Sequence, residues 1–285
     1  MKKLISTLIV LSGILISYSC SNDLDENNLI QESGIRVSVL NTNEKNLSSS
    51  EWLHFESVND YERAIALLNE IDNNLSLFEK GLSFQSMRCE LTEKQRETIG
   101  IEDDILAALL NPEGFIQIDN YIFQIDIADK NISVWNTKNN DKKVFSIDEN
   151  VINILFKDDA KYSTTSNNPD PIKYEFNSNP KAKCKIVYQR AAIYFSLLSK
   201  INKPESISSP AVEIYYHTYS GSYTKNRNNA TQQTYSAKSD GGGTKYVYRP
   251  YSAAVGLKQF YMSSVFTCID HQTNYSQTVG GTITK

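Results

Sequence analysis

From Cys184 to Thr284 the chain reads as strand throughout, and this leaves few architectures open. Cys184 to Tyr188 and Ala192 to Leu198 make a long apolar run, with a bulge expected near Arg190-Ala191. Val212–Tyr219, Thr231–Ala237, Lys245–Arg249, Lys258–Ile269 and Thr278–Thr284 follow as further strands. Several short strands at this spacing predict an all-β, sandwich-like C-terminal domain over 184–285. Gly241-Gly242-Gly243 reads as a turn, since no helix or suitably placed lysine follows it to cradle a phosphate.

The preceding stretch has a different period. Ser57 caps a predicted helix in which Tyr61, Ile65, Leu68, Ile71, Leu75 and Phe78 form one apolar stripe, closed by Lys80-Gly81. Shorter helices are predicted around Thr92–Thr98 and Glu102–Leu110, the latter stopped by Asn111-Pro112. The period then changes to two. Phe115–Ile118 and Tyr121–Ile127 flank an Asp119-Asn120 hairpin turn, and Ile132–Trp135 and Lys143–Ile147 continue the meander. Residues 51–160 are thus expected to form an α+β domain. The polar, proline-bearing stretch 161–183 is expected to be a linker, with Ile172–Phe176 able to form a short strand.

Charge divides the chain in the same place. Residues 21–179 hold 14 basic against 29 acidic side chains, net −15, whereas residues 180–285 hold 13 against 4, net +9. Two readings follow. The halves attract one another, or the basic half offers a face to an anionic partner. Thirteen of the 17 tyrosines lie from Tyr174 onward, among Lys, Arg, Asn, Ser and Thr. A tyrosine ring with its hydroxyl suits stacking on sugars or peptides, although strands also bury such rings in cores. Candidate ligand-binding residues are Tyr215, His217, Tyr219, Arg227, Lys245, Tyr248 and Arg249.

Familiar chemistry is missing. The sequence has no Gly-x-Ser-x-Gly elbow, no His-Glu-x-x-His and no Cys-x-x-Cys, and His54, His217 and His271 stand singly. No catalytic residue, metal ligand or cofactor is expected, and no nucleic-acid partner. Acid pairs such as Asp103-Asp104 read as solvated charge.

The N-terminus specifies a destination. Lys2-Lys3, an apolar run from Leu4 to Ile16, and Ser17-Tyr18-Ser19-Cys20 form a secretory signal at 1–19. Ser17-x-Ser19 also satisfies the small-x-small rule of ordinary signal peptidase, so a soluble secreted product stays open. Ser17 to Cys20, followed by the acidic Ser21-Asn22-Asp23-Leu24-Asp25-Glu26, resembles the lipobox and surface-export tether of Bacteroidota lipoproteins. That resemblance implies lipid on Cys20, a flexible tether over 20–50, and an outer-membrane, cell-surface location with the lipid as membrane anchor. Export also permits a disulfide. With Cys20 lipidated, Cys89, Cys184 and Cys268 remain, and either Cys184–Cys268 pairs or all three stay free. The expected function is a binding or assembly module for anionic glycan or another envelope component, such as an envelope protein. A hydrolase with an unfamiliar site and a structural subunit of a surface appendage are the rivals.

Overall fold

The computed structural model of the protein describes residues 30, 33–40, 51–157, 168–203, 212–225, 231–239 and 245–285, without the side chains of Asn73 and Tyr215. The expected signal peptide, Cys20, most of the expected tether, residues 158–167, Arg227 and the turn expected at Gly241–Gly243 lie outside the described residues.

Six strands form the first sheet in chain order: β1 Val37–Leu40, β2 Trp52–Phe55, β3 Phe115–Ile118, β4 Tyr121–Asp126, β5 Asn131–Asn136 and β6 Lys142–Ser146. Neighbours are antiparallel except β2 and β3, which run parallel. A parallel pair needs a long crossover, and the helices supply it. They are α1 Val58–Glu70, α2 Leu75–Leu82, α3 Met87–Glu90, α4 Glu93–Thr98 and α5 Asp104–Leu109; α6 Val151–Phe156 follows β6. Ser57 Oγ accepts the Asp60 amide at 3.1 Å, so α1 starts where its cap predicts. The helix expected to run on to Gly81 is interrupted by a 3₁₀ turn at Asp72–Asn74, and the left-handed cap falls on Ser83 at φ 52°. Asp and Asn compete for backbone hydrogen bonds, which is reason enough for the break. The Asp119-Asn120 turn is as expected: Ile118 pairs with Tyr121, and Asp119 sits at φ 51°.

The later strands are β7 Ile172–Glu175, β8 Lys183–Arg190, β9 Phe195–Asn202, β10 Val212–Lys225, β11 Gln232–Lys238, β12 Lys245–Ala253, β13 Leu257–Asp270 and β14 Tyr275–Thr284. They form two four-stranded antiparallel sheets, ordered β12-β9-β8-β7 and β11-β10-β13-β14. The sheets pack face to face over a core that includes Ile186, Leu197, Ile201, Leu257, Met262 and Phe266. The molecule is mostly strand, and this part is sandwich-like.

Cys184–Leu198 is not one bulged strand but the β8–β9 hairpin, turning at Ala191–Tyr194 with Ala192 at φ 60°. The turn escapes notice because it carries no Gly, Asn or Pro. It is apolar because it is buried: all four residues are 0% exposed and belong to the core of the helices and the first sheet. Tyr61 Oη donates to the Ile193 carbonyl at 3.1 Å, and the Ala192 amide to Ile147 at 2.8 Å. Part of the expected linker is likewise folded, since β7 pairs with β8 and Phe176 and Ala182 are fully buried.

Candidate functional site

The charge split has a structural counterpart. Side chains of β8, β9 and β12 that point away from the sandwich core meet acids from α4, α5 and the 3₁₀ turn. Asp103 caps α5, its Oδ1 accepting the Ile105 amide at 2.9 Å. Its Oδ2 accepts the Tyr194 hydroxyl at 3.0 Å, Arg249 Nε at 3.0 Å and the Ser196 hydroxyl. Arg249 also meets Asp72 at 2.6 Å. Lys185 lies 3.0 Å from both Glu97 and Glu102 and 3.4 Å from Glu93, and Lys200 is 2.5 Å from Glu93. Lys245 approaches Asp104 to 3.6 Å. Burial would raise the Asp104 and Glu93 pKa values, yet Lys200 with Arg96 and Lys245, and Lys200 with Lys185, hold the two below the usual range. Burial would lower Lys185 and Arg249, but the surrounding acids, joined by Tyr194 at Arg249, keep both raised. For Asp72 burial wins over Arg249, and its pKa rises.

So the candidate Arg249 is spent inside the molecule, and Lys245, still exposed, leans toward Asp104 at the edge of the same network. Asp103 and Asp104, read in sequence as solvated charge, are respectively fully buried and largely covered.

His217, Tyr219 and Tyr248 come together, but between the sheets. His217 is 0% exposed; its ring lies 4.6 Å from Tyr248 and 4.7 Å from Phe266. Tyr219 lies 4.6 Å from Tyr248 and 5.4 Å from Tyr235, and Tyr223 continues the row to Tyr251 at 5.1 Å. Burial drives the His217 pKa down to about 3 against a small opposing effect from the Tyr246 backbone. The neutral ring shares a 2.6 Å hydrogen bond with Ser199 Oγ, which donates to Ser264 Oγ at 2.8 Å. This serine–histidine pair has no route to a substrate. Cys184 and Cys268 are thiols in the same core, on facing sheets, with burial pushing Cys184 up to about 12 and Cys268 also upward.

The other face of β11-β10-β13-β14 is open. The β10–β13 register steps between Ile214 and Tyr216, leaving Tyr215 as the extra residue. That bulge reverses the phase of β10, so Tyr216 points outward while His217 and Tyr219 point in. Beyond it the register lines up Lys238-Thr218-Val265-Gly280, Ser236-Ser220-Ser263-Thr282 and Thr234-Ser222-Tyr261-Thr284 across four strands. These rows carry hydroxyls and no acid. With strands about 4.8 Å apart they span roughly 14 Å, enough for a short oligosaccharide. Tyr216, Tyr261 and Val265 are 39%, 47% and 41% exposed. Lys238 Nζ stands 5.0 Å above the Tyr216 ring, and a shallow depression of about 410 Å³ lies beside Ser220, Ser236 and Ser263. On the inner side of the same sheet Gly221 leaves room for the Tyr235 ring. The Tyr235 hydroxyl crosses the glycine to donate to the Tyr261 carbonyl at 2.8 Å, where a Cβ would collide with both.

In sequence Tyr216 belongs to a dense tyrosine run whose alternation would bury it, because strand parity beyond an unrecognised bulge cannot be counted; Tyr261, on β13, carries no local sign of its exposure. Among the described residues, no cluster of His, Cys, Asp and Glu could hold a metal ion, and no helix is long and apolar enough to cross a membrane. No protein-family model matches the chain, and no curated protein matches it in sequence.

Proposed function

We propose that the protein is a surface lipoprotein anchored through Cys20, organised as an α+β unit docked onto a sandwich-like unit, and that it works as a glycan-binding module. The observation that carries this reading is the outer face of β11-β10-β13-β14 beyond the Tyr215 bulge, where three cross-strand rows carry hydroxyls and no acid beside the exposed Tyr216 and Tyr261 rings. Tyrosine rings stack on the apolar faces of sugars, and short hydroxyls exchange hydrogen bonds with sugar hydroxyls. A neutral glycan fits better than the polyanion expected from the +9 balance, because Lys185, Lys200, Lys245 and Arg249 already face protein carboxylates.

Affinity electrophoresis of the mature chain through xylan, mannan and β-glucan, with heparin alongside, tests the ligand. One neutral polysaccharide should retard the wild type independently of salt, and Tyr216→Ala/Tyr261→Ala should migrate freely. Retardation by heparin alone, fading with salt, would restore the anionic reading; equal retardation of the double variant would remove this face. For the anchor, a palmitate analogue fed to cells should label the wild type and not Cys20→Ala.

A further inference from the structure

A separate cleft of about 490 Å³ opens where α1, α6 and the ends of β10 and β12 meet. None of the outer-face residues named above lines it. Its floor is apolar, built from Ile65 and Ala66 of α1, from Ala253 at the end of β12 and from Ala254 and Val255 just beyond it. Two polar side chains there are already used: Tyr251 Oη donates to the Val255 carbonyl, and Ser252 Oγ bonds Tyr194 Oη at 3.1 Å. At the mouth Lys157 pairs with Glu62 at 3.0 Å. Asn153 and Lys225 are different. The Asn153 amide lines the cleft although the residue is only 6% exposed, and neither it nor the Lys225 ammonium has a side-chain partner among the described residues.

An amide that reaches solvent only through the cleft is available to a ligand that enters it. The size lies within the range of small-molecule sites, which typically combine an apolar lining with a few convergent polar groups. We propose that this cleft binds a small monocarboxylate with an apolar body. The carboxylate faces Lys225 Nζ and the Asn153 amide NH₂, and the body covers the alanine-rich floor. Lys157 and Glu62 pair at the mouth and leave Lys225 as the unbalanced charge among the described lining residues.

Octanoate is the probe, with 1-octanol and octylamine as controls, followed by isothermal titration and by amide NMR shifts of Ala253 and Ala254 in the mature chain. Octanoate should bind and move those amides, with the two controls at least tenfold weaker. Lys225→Gln, at a partly exposed strand end, should weaken octanoate at least tenfold and leave octanol unchanged. Equal binding of octylamine would show that Glu62 governs the cleft and overturn the proposal. So would an unaltered octanoate affinity in Lys225→Gln, or no shift of the two amides at millimolar octanoate. None of these outcomes bears on the glycan face.

Discussion

The two faces of the β12-β9-β8-β7 sheet come from the same strands and are both buried, yet they are built of opposite materials. Toward the sandwich core the strands present Cys184, Ile186, Tyr188, Leu197 and Ile201. Toward the helices they present Lys185, Gln189, Ser196, Lys200 and Arg249, all 9% exposed or less. The first face stabilises by burial, about 1.5–3 kcal/mol for each large side chain, and tolerates many arrangements. The second contributes little net energy, because desolvation cancels most of the Coulomb attraction. It does fix orientation, since Arg249 can satisfy Asp103 and Asp72 in few geometries. Alternation of apolar and polar residues usually marks a solvated face; here it marks one dry face and one ionic face.

Asp103→Ala should be the most damaging way to break that contrast. It removes the acceptor shared by Tyr194, Ser196 and Arg249 and leaves a guanidinium 2% exposed with Asp72 as its remaining acid. A loss of about 3–5 kcal/mol in urea unfolding is expected. A loss below about 1 kcal/mol would mean that the ionic face is not structural. Acid should reach the dry side through His217. Its folded pKa of about 3 lies below the unfolded value, so the unfolded chain takes up a proton that the core refuses. Stability should therefore fall as pH drops from about 6.5 toward 3, by up to about 1.4 kcal/mol per pH unit. His217→Gln should flatten this slope above about pH 5, before Glu93 and Asp104 begin to add their own loss; an unchanged slope would exonerate His217. Gly221→Ala should cost about 1–3 kcal/mol by displacing Tyr235 from the Tyr261 carbonyl. The smallest effect belongs to the outer face: Tyr216→Ala/Tyr261→Ala should change stability by about 0.5 kcal/mol or less per site, which thermal unfolding can check, while glycan retardation is lost.

What was legible in the sequence was local. Ser57 announces α1 and Asp119-Asn120 announces a hairpin, because cap and turn chemistry act over three or four residues. The Thr92–Gln95 capping box starts α4 in the same way. β2 went unread, since Trp52–Phe55 is four residues long and three of them are buried, so it shows no alternation. The Ala191–Tyr194 turn went unread because its composition answers to a core formed with Tyr61, far away in sequence. The charge imbalance was visible, but its destination rests on pairs such as Glu93–Lys200 and Asp103–Arg249, 107 and 146 residues apart. Tyr216 was hidden by one extra residue at Tyr215, which exchanges inside for outside along the rest of β10.

The buried turn at Ala191–Tyr194 also sets an order of events during synthesis. The core formed by the helices and the first sheet lacks Ala191, Ala192, Ile193 and Tyr194 until residue 194 has left the ribosome, and Ala254 for longer still. Until then Asp103 has neither Tyr194 nor Arg249, and the apolar stripe of α1 has nothing to close against at Ile193. A nascent chain stopped before that point is therefore an open, strongly acidic intermediate that chaperones can hold. Its closure waits on contacts of long sequence separation, which form slowly. On the export route proposed above, such a delay would keep the chain threadable for as long as translocation needs.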